Sequence, residues 1–415
     1  MTQTALAGEA GTALSGRRAW TMVWALAFGQ LVSWGSLYYA FAVLVLPMEQ
    51  ELGWSKSELN GALSLGLLAA GLAALPVGAW IDRHGGRAVM TAGSLAAALL
   101  LLAWSQVVSI ELFYLLYILM GVAMASVLYE PAFAVVTQHF GKDYRRAITA
   151  LTLVGGFAGT VFVPLCQLIV ELQGWREALL VLAACNLLYC AAVHFFLLPP
   201  GLPRAAQDVP PAASPEAGAA RARGPLRRAL ATRAFWGLAV CFVAYNITFT
   251  TVTFHFFPLL AERAVDTATI VATFTIFGPM QVVGRIAIFA LGRHMTARRA
   301  GAFVVLGLPA SILILTLAPP HFAWLATFAC IYGSANGIMT IVRGTVVPEL
   351  IGSEGYGTIN GALTMPALLA KSLAPLAAAL IWQIAGGYDA VLWTIFAVST
   401  LSALAFWFAA SGRTG

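Results

Sequence analysis

The stretch GAWIDRHGGR, Gly78 to Arg87, joins two apolar runs, one near 57–81 and the other near 88–108. Each run is long enough to form a helix that crosses the ~30 Å hydrocarbon core of a bilayer. Glycines permit the tight turn, and Asp82 can either cap a neighbouring helix N-terminus or pair with Arg87. The stretch therefore predicts a short polar loop between two antiparallel membrane helices.

The rest of the chain repeats this arrangement. Its 415 residues are 60% hydrophobic and 10% charged, with a mean hydropathy of +0.85, whereas a soluble domain carries about 25% charged residues. Long, evenly spaced apolar runs favour helices over the short alternating strands of a barrel. We predict an all-α integral membrane protein with twelve spans, near 20–46, 57–81, 88–108, 110–138, 146–170, 177–198, 233–260, 268–291, 300–318, 321–348, 358–383 and 388–410.

The basic residues outside the spans predict the orientation, because cytoplasmic loops carry an excess of Lys and Arg. With the N-terminus inside, only Lys56, Arg176 and Arg263 fall on the outer side. The cations predicted to be cytoplasmic are Arg17, Arg18, Arg83, Arg87, Lys142, Arg145, Arg146, Arg204, Arg221, Arg223, Arg227, Arg228, Arg233, Arg293, Arg298, Arg299 and Arg413. Both termini are therefore predicted to be cytoplasmic.

The chain is divided by a Pro-, Ala- and Arg-rich segment at 199–232, which we interpret as a cytoplasmic linker that packs no core. Shifting the second half back by 211 positions aligns Pro258 with Pro47 and Arg298 with Arg87. The predicted organisation is a tail at 1–19, a six-helix bundle at 20–198, the linker, a second bundle at 233–410 and a tail at 411–415. Two parallel repeats of this kind are typical of transporters with a substrate site between the halves.

The loop at Gly78 to Arg87 closely resembles the cytoplasmic loop signature of the major facilitator superfamily, and the resemblance extends over residues 20–410. It implies alternating access by rocking of two pseudo-symmetric bundles. It also implies that the loop residues latch the cytoplasmic ends of the helices; these gating residues are Gly78, Asp82, Arg83, Gly86 and Arg87. The second repeat has Arg293 where the first has Asp82, which predicts an asymmetric latch.

Four ionisable residues remain within the spans: Glu130, Arg285, Arg343 and Lys371. Counted from the nearest basic loop, they lie about 12–21 Å deep. Charges at that depth are costly and need a cavity, a partner or a ligand. For Arg343 we weigh snorkelling or a pair with Glu349 against a functional role. For Glu130 we weigh a proton carrier against a fixed counter-ion, with Lys371 as its partner when the site is empty.

Span 8, FGPMQVVGRIAIFALGRH, resembles the corresponding helix of monocarboxylate porters and oxalate/formate exchangers. The stretch HFGKDYRRAITALTLVGGFAG, at 139–159, resembles the signature of spans 4 and 5 in monocarboxylate porters. The resemblance implies that Arg285 holds the carboxylate of a substrate and that Lys371 assists it. One departure is Gln281, which stands where many porters keep an acidic residue. Further predicted cavity residues are Tyr38, Tyr39, Tyr129, Tyr245, Asn246, Asn336 and Thr340.

These features predict a secondary transporter for a small organic anion, working as a proton symporter or an anion exchanger in a bacterial-type inner membrane. The alternative is a proton-driven exporter of drugs or organic cations, in which the carboxylate of Glu130 binds the positive charge of the substrate. The sequence has no phosphate loop, metal-ligand cluster or nucleophile elbow, so we expect no enzyme, metal or cofactor. The net charge of +6 is a topology signal, so no nucleic-acid partner is expected. One chain holds both halves, which predicts a monomer within the lipid bilayer.

Overall fold

The computed structural model describes residues 17–140, 143–201, 224–291 and 295–411. Twelve helices in these ranges are long and apolar enough to cross a membrane, which confirms the predicted spans. Numbered in chain order as spans 1 to 12, they are Arg17–Leu52, Glu58–His84, Arg87–Ser105, Ile110–Phe140, Tyr144–Gln173, Trp175–Phe196, Arg233–Glu262, Ala268–Leu291, Ala297–Leu317, Phe322–Leu350, Tyr356–Ala385 and Tyr388–Ala410.

Consecutive spans run in opposite directions, so the polar loops gather at two ends. The basic end, where the odd-numbered spans begin, carries Arg83, Arg87 and Arg145; the acidic end carries Glu51 and Glu262. That the basic end faces the cytoplasm stays a prediction. Of the basic residues used for that prediction, Lys142, Arg204, Arg221, Arg223, Arg293 and Arg413 lie outside the described residues.

The two halves share one packing scheme. In the first half, span 2 packs on span 4, span 3 on spans 4 and 6, and span 1 on span 5. In the second half, span 8 packs on span 10, span 9 on spans 10 and 12, and span 7 on span 11. Each contact of the first half therefore recurs six spans later, as the shift of 211 residues predicts.

Four spans of the first half contain irregular turns. Span 1 has a π-helical turn at Gly35–Tyr39 and span 6 has one at Asn186–Ala191. Span 4 divides into Ile110–Val127 and Tyr129–Phe140, and span 5 into Tyr144–Gly155 and Ala158–Gln173. Such turns in membrane helices are tolerated where protein groups satisfy the freed backbone.

The break in span 4 shows how this is done. Pro131 has no N–H, so the carbonyl of Val127 four residues earlier loses its helical donor. The side chain of Gln30 in span 1 replaces it, donating from Nε2 to the Val127 carbonyl at 2.7 Å. Gln30 is fully buried. An inter-span hydrogen bond thus stabilises the break that precedes Tyr129 and Glu130.

The halves meet at the basic end and in the middle of the molecule. Span 2 packs along span 11, while span 5 packs on spans 8 and 10 through its first segment, Tyr144–Gly155. Gly78 lies directly against the backbone of Gly357, and Gly361 against that of Ala74, so a Cβ at either glycine would overlap a carbonyl. These glycines let spans 2 and 11 approach closely, which closes the basic end on the side of these two spans.

The end of the linker is more ordered than the sequence suggests. Residues Pro225–Leu230 form a short helix in which Ala229 is 2% exposed. Arg228 pairs with Glu354 at 2.6 Å, just before span 11 begins. The interpretation that the linker packs no core does not hold for this helix, because Ala229 belongs to a buried apolar cluster that contains residues of both halves.

We expect Gln30→Leu to destabilise the protein by about 1 kcal/mol, the usual scale of hydrogen bonds between membrane helices, because the Val127 carbonyl loses its donor. Gln167→Leu, at an exposed position of span 5, is the matched control and should change little. The measurement is the free energy of unfolding in detergent. Equal stabilities for the two variants would show that the bond contributes nothing.

Candidate functional site

Arg285 of span 8 is a buried cation at the contact between the halves. Its side chain is 5% exposed, and its Nη2 lies 3.5 Å from Oγ1 of Thr340. Its Nε has no hydrogen-bond partner, and within the described ranges no carboxylate lies within 4 Å of the guanidinium. A buried charge without an opposite charge is costly, so this guanidinium is suited to receiving an anion.

Two glycines of span 5 make room for this side chain. The guanidinium lies against Gly156, where a Cβ would overlap Nη1 of Arg285. The neighbouring Gly155 accommodates the hydroxyl of Tyr129, which would lie 2.7 Å from an added Cβ. Because span 5 is interrupted between Gly155 and Ala158, side chains from both halves can reach the same point.

Lys371 of span 11 also crosses to the first half. Its Nζ lies 3.4 Å from the hydroxyl of Tyr38 and 4.9 Å from the centre of the Tyr38 ring. Among the described residues no carboxylate lies within 4 Å of it. A cation–π contact offsets only part of the cost of an ammonium at membrane depth. Lys371 is therefore a second cation that lacks an anionic partner.

An aromatic cluster connects the two cations. Trp34 packs on Tyr38, Tyr39 and Tyr129 with ring centres 5.4, 6.4 and 5.2 Å away. Tyr39 packs against Gly159 of span 5, one turn beyond Gly156. Tyr129 lies against Gly155, next to the Gly156 that Arg285 contacts. The π-helical turn at Gly35–Tyr39 places both tyrosines of span 1 in this cluster.

The second half contributes a short polar network. The hydroxyl of Tyr245 donates to Oδ1 of Asn336 at 3.0 Å, and the hydroxyl of Thr340 donates to the Asn336 carbonyl at 3.2 Å. Nδ2 of Asn336 is buried without a partner. Asn246, by contrast, donates to the carbonyl of Phe242 in its own helix at 2.8 Å. Asn246 is thus engaged within span 7, and no described contact joins it to this network.

Glu130 and Arg343 form an ion pair of 2.7 Å between span 4 and span 10. Their side chains are 24% and 25% exposed. The prediction that Glu130 serves Lys371 is therefore wrong, and so is the pairing of Arg343 with Glu349. Glu349 instead accepts from the backbone of Ala297 and Arg298 and lies 3.6 Å from Arg145. The sequence could not separate these pairings because it does not show which faces of the helices are turned towards each other.

The predicted gating loop joins the halves through Asp82. Its carboxylate accepts from the backbone N–H groups of Gly357 and Thr358 at 2.9 and 2.6 Å, and from the Thr358 hydroxyl at 2.7 Å. These groups form the N-terminus of span 11, where a negative charge is favourable. Asp82 thus caps a helix of the other half, which is the first of the two options that the sequence left open.

The other loop residues have local roles. Arg87 places its guanidinium 4.7 Å from the centre of the Phe195 ring, a cation–π contact with span 6. Gly86 packs against Val135 and Gly78 against Gly357, so both need the absence of a side chain. Arg83 is exposed. Closure between the halves at this loop therefore depends on Asp82 and Gly78, whereas Gly86 packs within the first half.

Sequence reasoning missed Trp34, Gln30 and the role of the pair Gly155–Gly156. Trp34 lies one helical turn before Tyr38, a spacing that could have indicated a shared face. The two glycines are visible in the sequence, but only the structure shows what fills the space beside them. Gln30 is a polar residue in an apolar run, and its link to Pro131 has no signature in the sequence.

Comparison with known proteins establishes the family. The model of the Major Facilitator Superfamily matches residues 26–370, so the chain belongs to that superfamily of transporters. Monocarboxylate transporter 13 of Bos taurus is 28% identical over 359 residues, covering 84% of this chain and 79% of that protein.

Two solved structures share the fold. The human organic anion transporter MFSD10 (TETRAN) has a TM-score of 0.71 at 19% identity, with 95% of this chain and 99% of that one covered. The proton:xylose symporter XylE has a TM-score of 0.70 at 12% identity, with 94% and 95% covered. The chain is thus a multi-pass membrane transporter with the major facilitator fold.

We expect Glu130→Gln or Arg343→Gln to destabilise the protein by about 1–3 kcal/mol, because each leaves one charge unpaired between the spans. The double variant should lose less than the sum of the two single variants, since it leaves no lone charge. Unfolding free energies in detergent measure this. Arg228→Gln, which breaks an exposed pair, is the control and should cost no more than about 1 kcal/mol. Strict additivity would contradict the coupling.

We expect Asp82→Asn to weaken closure at the basic end, because an amide loses the charge that favours the N-terminus of span 11. Spin labels at exposed Arg83 and exposed Glu354 would report the distance between the halves. The labelled variant should populate longer distances than the labelled wild type. The control is Asp389→Asn at the acidic end, which should leave the distance unchanged.

Proposed function

We propose that the protein is a secondary transporter for a small organic anion, a mono- or dicarboxylate, which binds between Arg285 and Lys371. The observation that carries this proposal is that both cations lie at the contact between the halves without a carboxylate within 4 Å in the described part of the chain. The relation to monocarboxylate transporter 13 supports the same ligand chemistry.

The chemistry of the two cations suits a carboxylate. A guanidinium presents a planar fork of donors to two carboxylate oxygens, whereas an ammonium acts as a compact charge. At 4 Å and an effective dielectric constant of 20, one such contact amounts to about 4 kcal/mol before desolvation. The aromatic cluster of Trp34, Tyr38, Tyr39 and Tyr129 would surround the apolar part of the ligand.

The position of the two cations also suits alternating access. Arg285 and Lys371 belong to the second half, but their charged ends lie on Gly156 and Tyr38 of the first half. An anion bound between them would be held by groups that both halves position. Its binding and release would therefore depend on how the halves are arranged.

Glu130 and Arg343 would couple the site to a second ion. Their pair joins span 4 of the first half to span 10 of the second half within the membrane, and a proton on Glu130 would weaken it. In a proton symporter that step would permit reorientation; in an exchanger the pair would stay intact and only the loaded carrier would reorient. We include both mechanisms in the proposal and let transport assays separate them.

The alternative function, export of organic cations, needs a carboxylate that is not already paired and can bind the positive charge of the substrate. Glu130 is held by Arg343 at 2.7 Å, and the aromatic ring of Tyr38 is already in contact with the ammonium of Lys371. These contacts favour an anion over a cation as the ligand. We further propose a monomer in a bacterial-type plasma membrane. We also propose that both termini lie in the cytoplasm, and the placement of the basic residues supports that orientation.

We expect carboxylates to stabilise the purified protein and both Arg285→Gln and Lys371→Gln to abolish this effect. A ligand at 100 times its dissociation constant adds about 2.7 kcal/mol to the native state, a shift that thermal unfolding detects. Arg285→Lys keeps the charge but loses the fork, and should retain weak binding. The panel should contain mono- and dicarboxylates, inorganic anions and organic cations.

Carboxylate stabilisation that survives in both neutral variants would contradict the assignment, and stabilisation by cations alone would favour the exporter. In vesicles, Glu130→Gln distinguishes the two mechanisms. A symporter would lose uptake driven by a pH gradient while retaining exchange of internal for external substrate. An exchanger would show no uptake driven by the gradient in the wild type.

A further inference from the structure

A cavity of about 630 Å³ opens at the basic end between span 5 of the first half and spans 8, 9 and 10 of the second half. We call it the head-group cavity. It lies on the opposite side of the molecule from the contact between Asp82 and span 11, since spans 5 and 8 are the repeat counterparts of spans 11 and 2. We propose that it binds the head group of an anionic phospholipid.

The two halves differ at this point. On one side, Asp82 at the end of span 2 supplies the negative charge that holds span 11. Arg293 stands 211 residues after Asp82 in the sequence, at the equivalent position of the second half. The loop after span 8 therefore has no acidic residue at this position that could cap span 5. Among the described residues, the contact that closes one side of the basic end therefore has no counterpart on the other side, where the structure has a cavity.

The wall formed by span 5 is basic. Arg145 and Arg146 line the cavity together with Asp143 and Thr149. Arg145 is 39% exposed and lies 3.6 Å from Glu349, whose two oxygens also accept from backbone N–H groups of span 9. The guanidinium of Arg146 lies 5.2 Å from the centre of the Trp20 ring, and no carboxylate of the described residues lies within 4 Å of it.

The opposite wall is mostly apolar. It is formed by Ile288, Phe289 and Leu291 of span 8, by Ala300 of span 9 and by Ile341 of span 10. Phe289 is 38% exposed and Leu291 is 48% exposed. One wall of arginines and one of aliphatic and aromatic side chains match a ligand with an anionic head and a hydrocarbon chain.

These features decide between a lipid and a soluble anion. A free phosphate would use the arginines but would leave the apolar wall in contact with water. A phospholipid uses both walls, and its phosphate lies at the level of a span terminus, where Arg145 and Arg146 are found. Basic pockets between spans are known to favour anionic head groups. Bound there, the lipid would connect span 5 with spans 8 and 9 and close the basic end on the side where Asp82 has no counterpart.

The test is lipid retention by the full chain in nanodiscs of phosphatidylcholine, with or without phosphatidylglycerol, measured by native mass spectrometry. We expect the wild type to retain phosphatidylglycerol. The double variant Arg145→Gln/Arg146→Gln should bind phosphatidylglycerol with an affinity at least about tenfold lower, since each arginine near a membrane surface contributes to the attraction. Arg298→Gln, an exposed arginine of span 9 outside the cavity, is the matched control and should behave as wild type.

Two further measurements keep the result unambiguous. Arg145→Lys/Arg146→Lys preserves both charges and should retain the lipid, and melting in phosphatidylcholine alone shows whether each variant is folded. Inorganic phosphate is then added as a competitor. Equal retention of phosphatidylglycerol by the glutamine double variant and the wild type would overturn the proposal. So would displacement of the lipid by millimolar phosphate, which would assign the cavity to a soluble anion.

Discussion

The cost of placing a charge in the middle of a membrane governs this structure. Among the described residues, four Asp, Glu, Lys or Arg side chains lie well inside the spans, away from their ends, and they fall into two groups. Glu130 and Arg343 neutralise each other at 2.7 Å across the contact between the halves. Arg285 and Lys371 do not find a carboxylate among the described residues; they contact hydroxyl groups, an aromatic ring and a glycine. A membrane protein keeps such cations where a ligand or a water-filled space compensates them.

The same charges tie the two halves together. Each of the three cations belongs to the second half, and each reaches a group of the first half: Arg285 reaches Gly156, Lys371 reaches Tyr38, and Arg343 reaches Glu130. Any relative movement of the halves changes all three contacts at once. In the proposed mechanism, binding of the anion and reorientation of the halves would therefore depend on the same set of contacts.

Closure of the basic end is asymmetric. On one side it depends on close backbone contact, with glycines at positions 78, 357 and 361, and on a carboxylate that caps a helix of the other half. On the other side the repeat lacks the acid, and a cavity lined by arginines takes its place. Duplication thus gave the two halves one packing scheme, while single substitutions made their contacts differ.

Much of the architecture follows from the sequence alone. The twelve spans, the repeat and the four charges within the spans are set by hydropathy and spacing along the chain, which are local properties. The loop from Gly78 to Arg87 carried the resemblance to the family, and capping of a neighbouring helix was one of the two roles that the sequence allowed for Asp82. Arg285 and Lys371 stood out because charges in apolar runs are rare.

Only the tertiary structure decided which groups meet. The partners of Glu130 and Lys371 are 213 and 333 residues away along the chain, and several charges at similar depth made more than one pairing possible. Trp34, Gln30 and the glycines at 155 and 156 gained their roles from neighbours on other spans. Hydropathy determines where a helix crosses the bilayer, but it does not determine how that helix is rotated or which side chain faces it across the contact. That choice depends on packing between helices, and packing is a property of the folded chain.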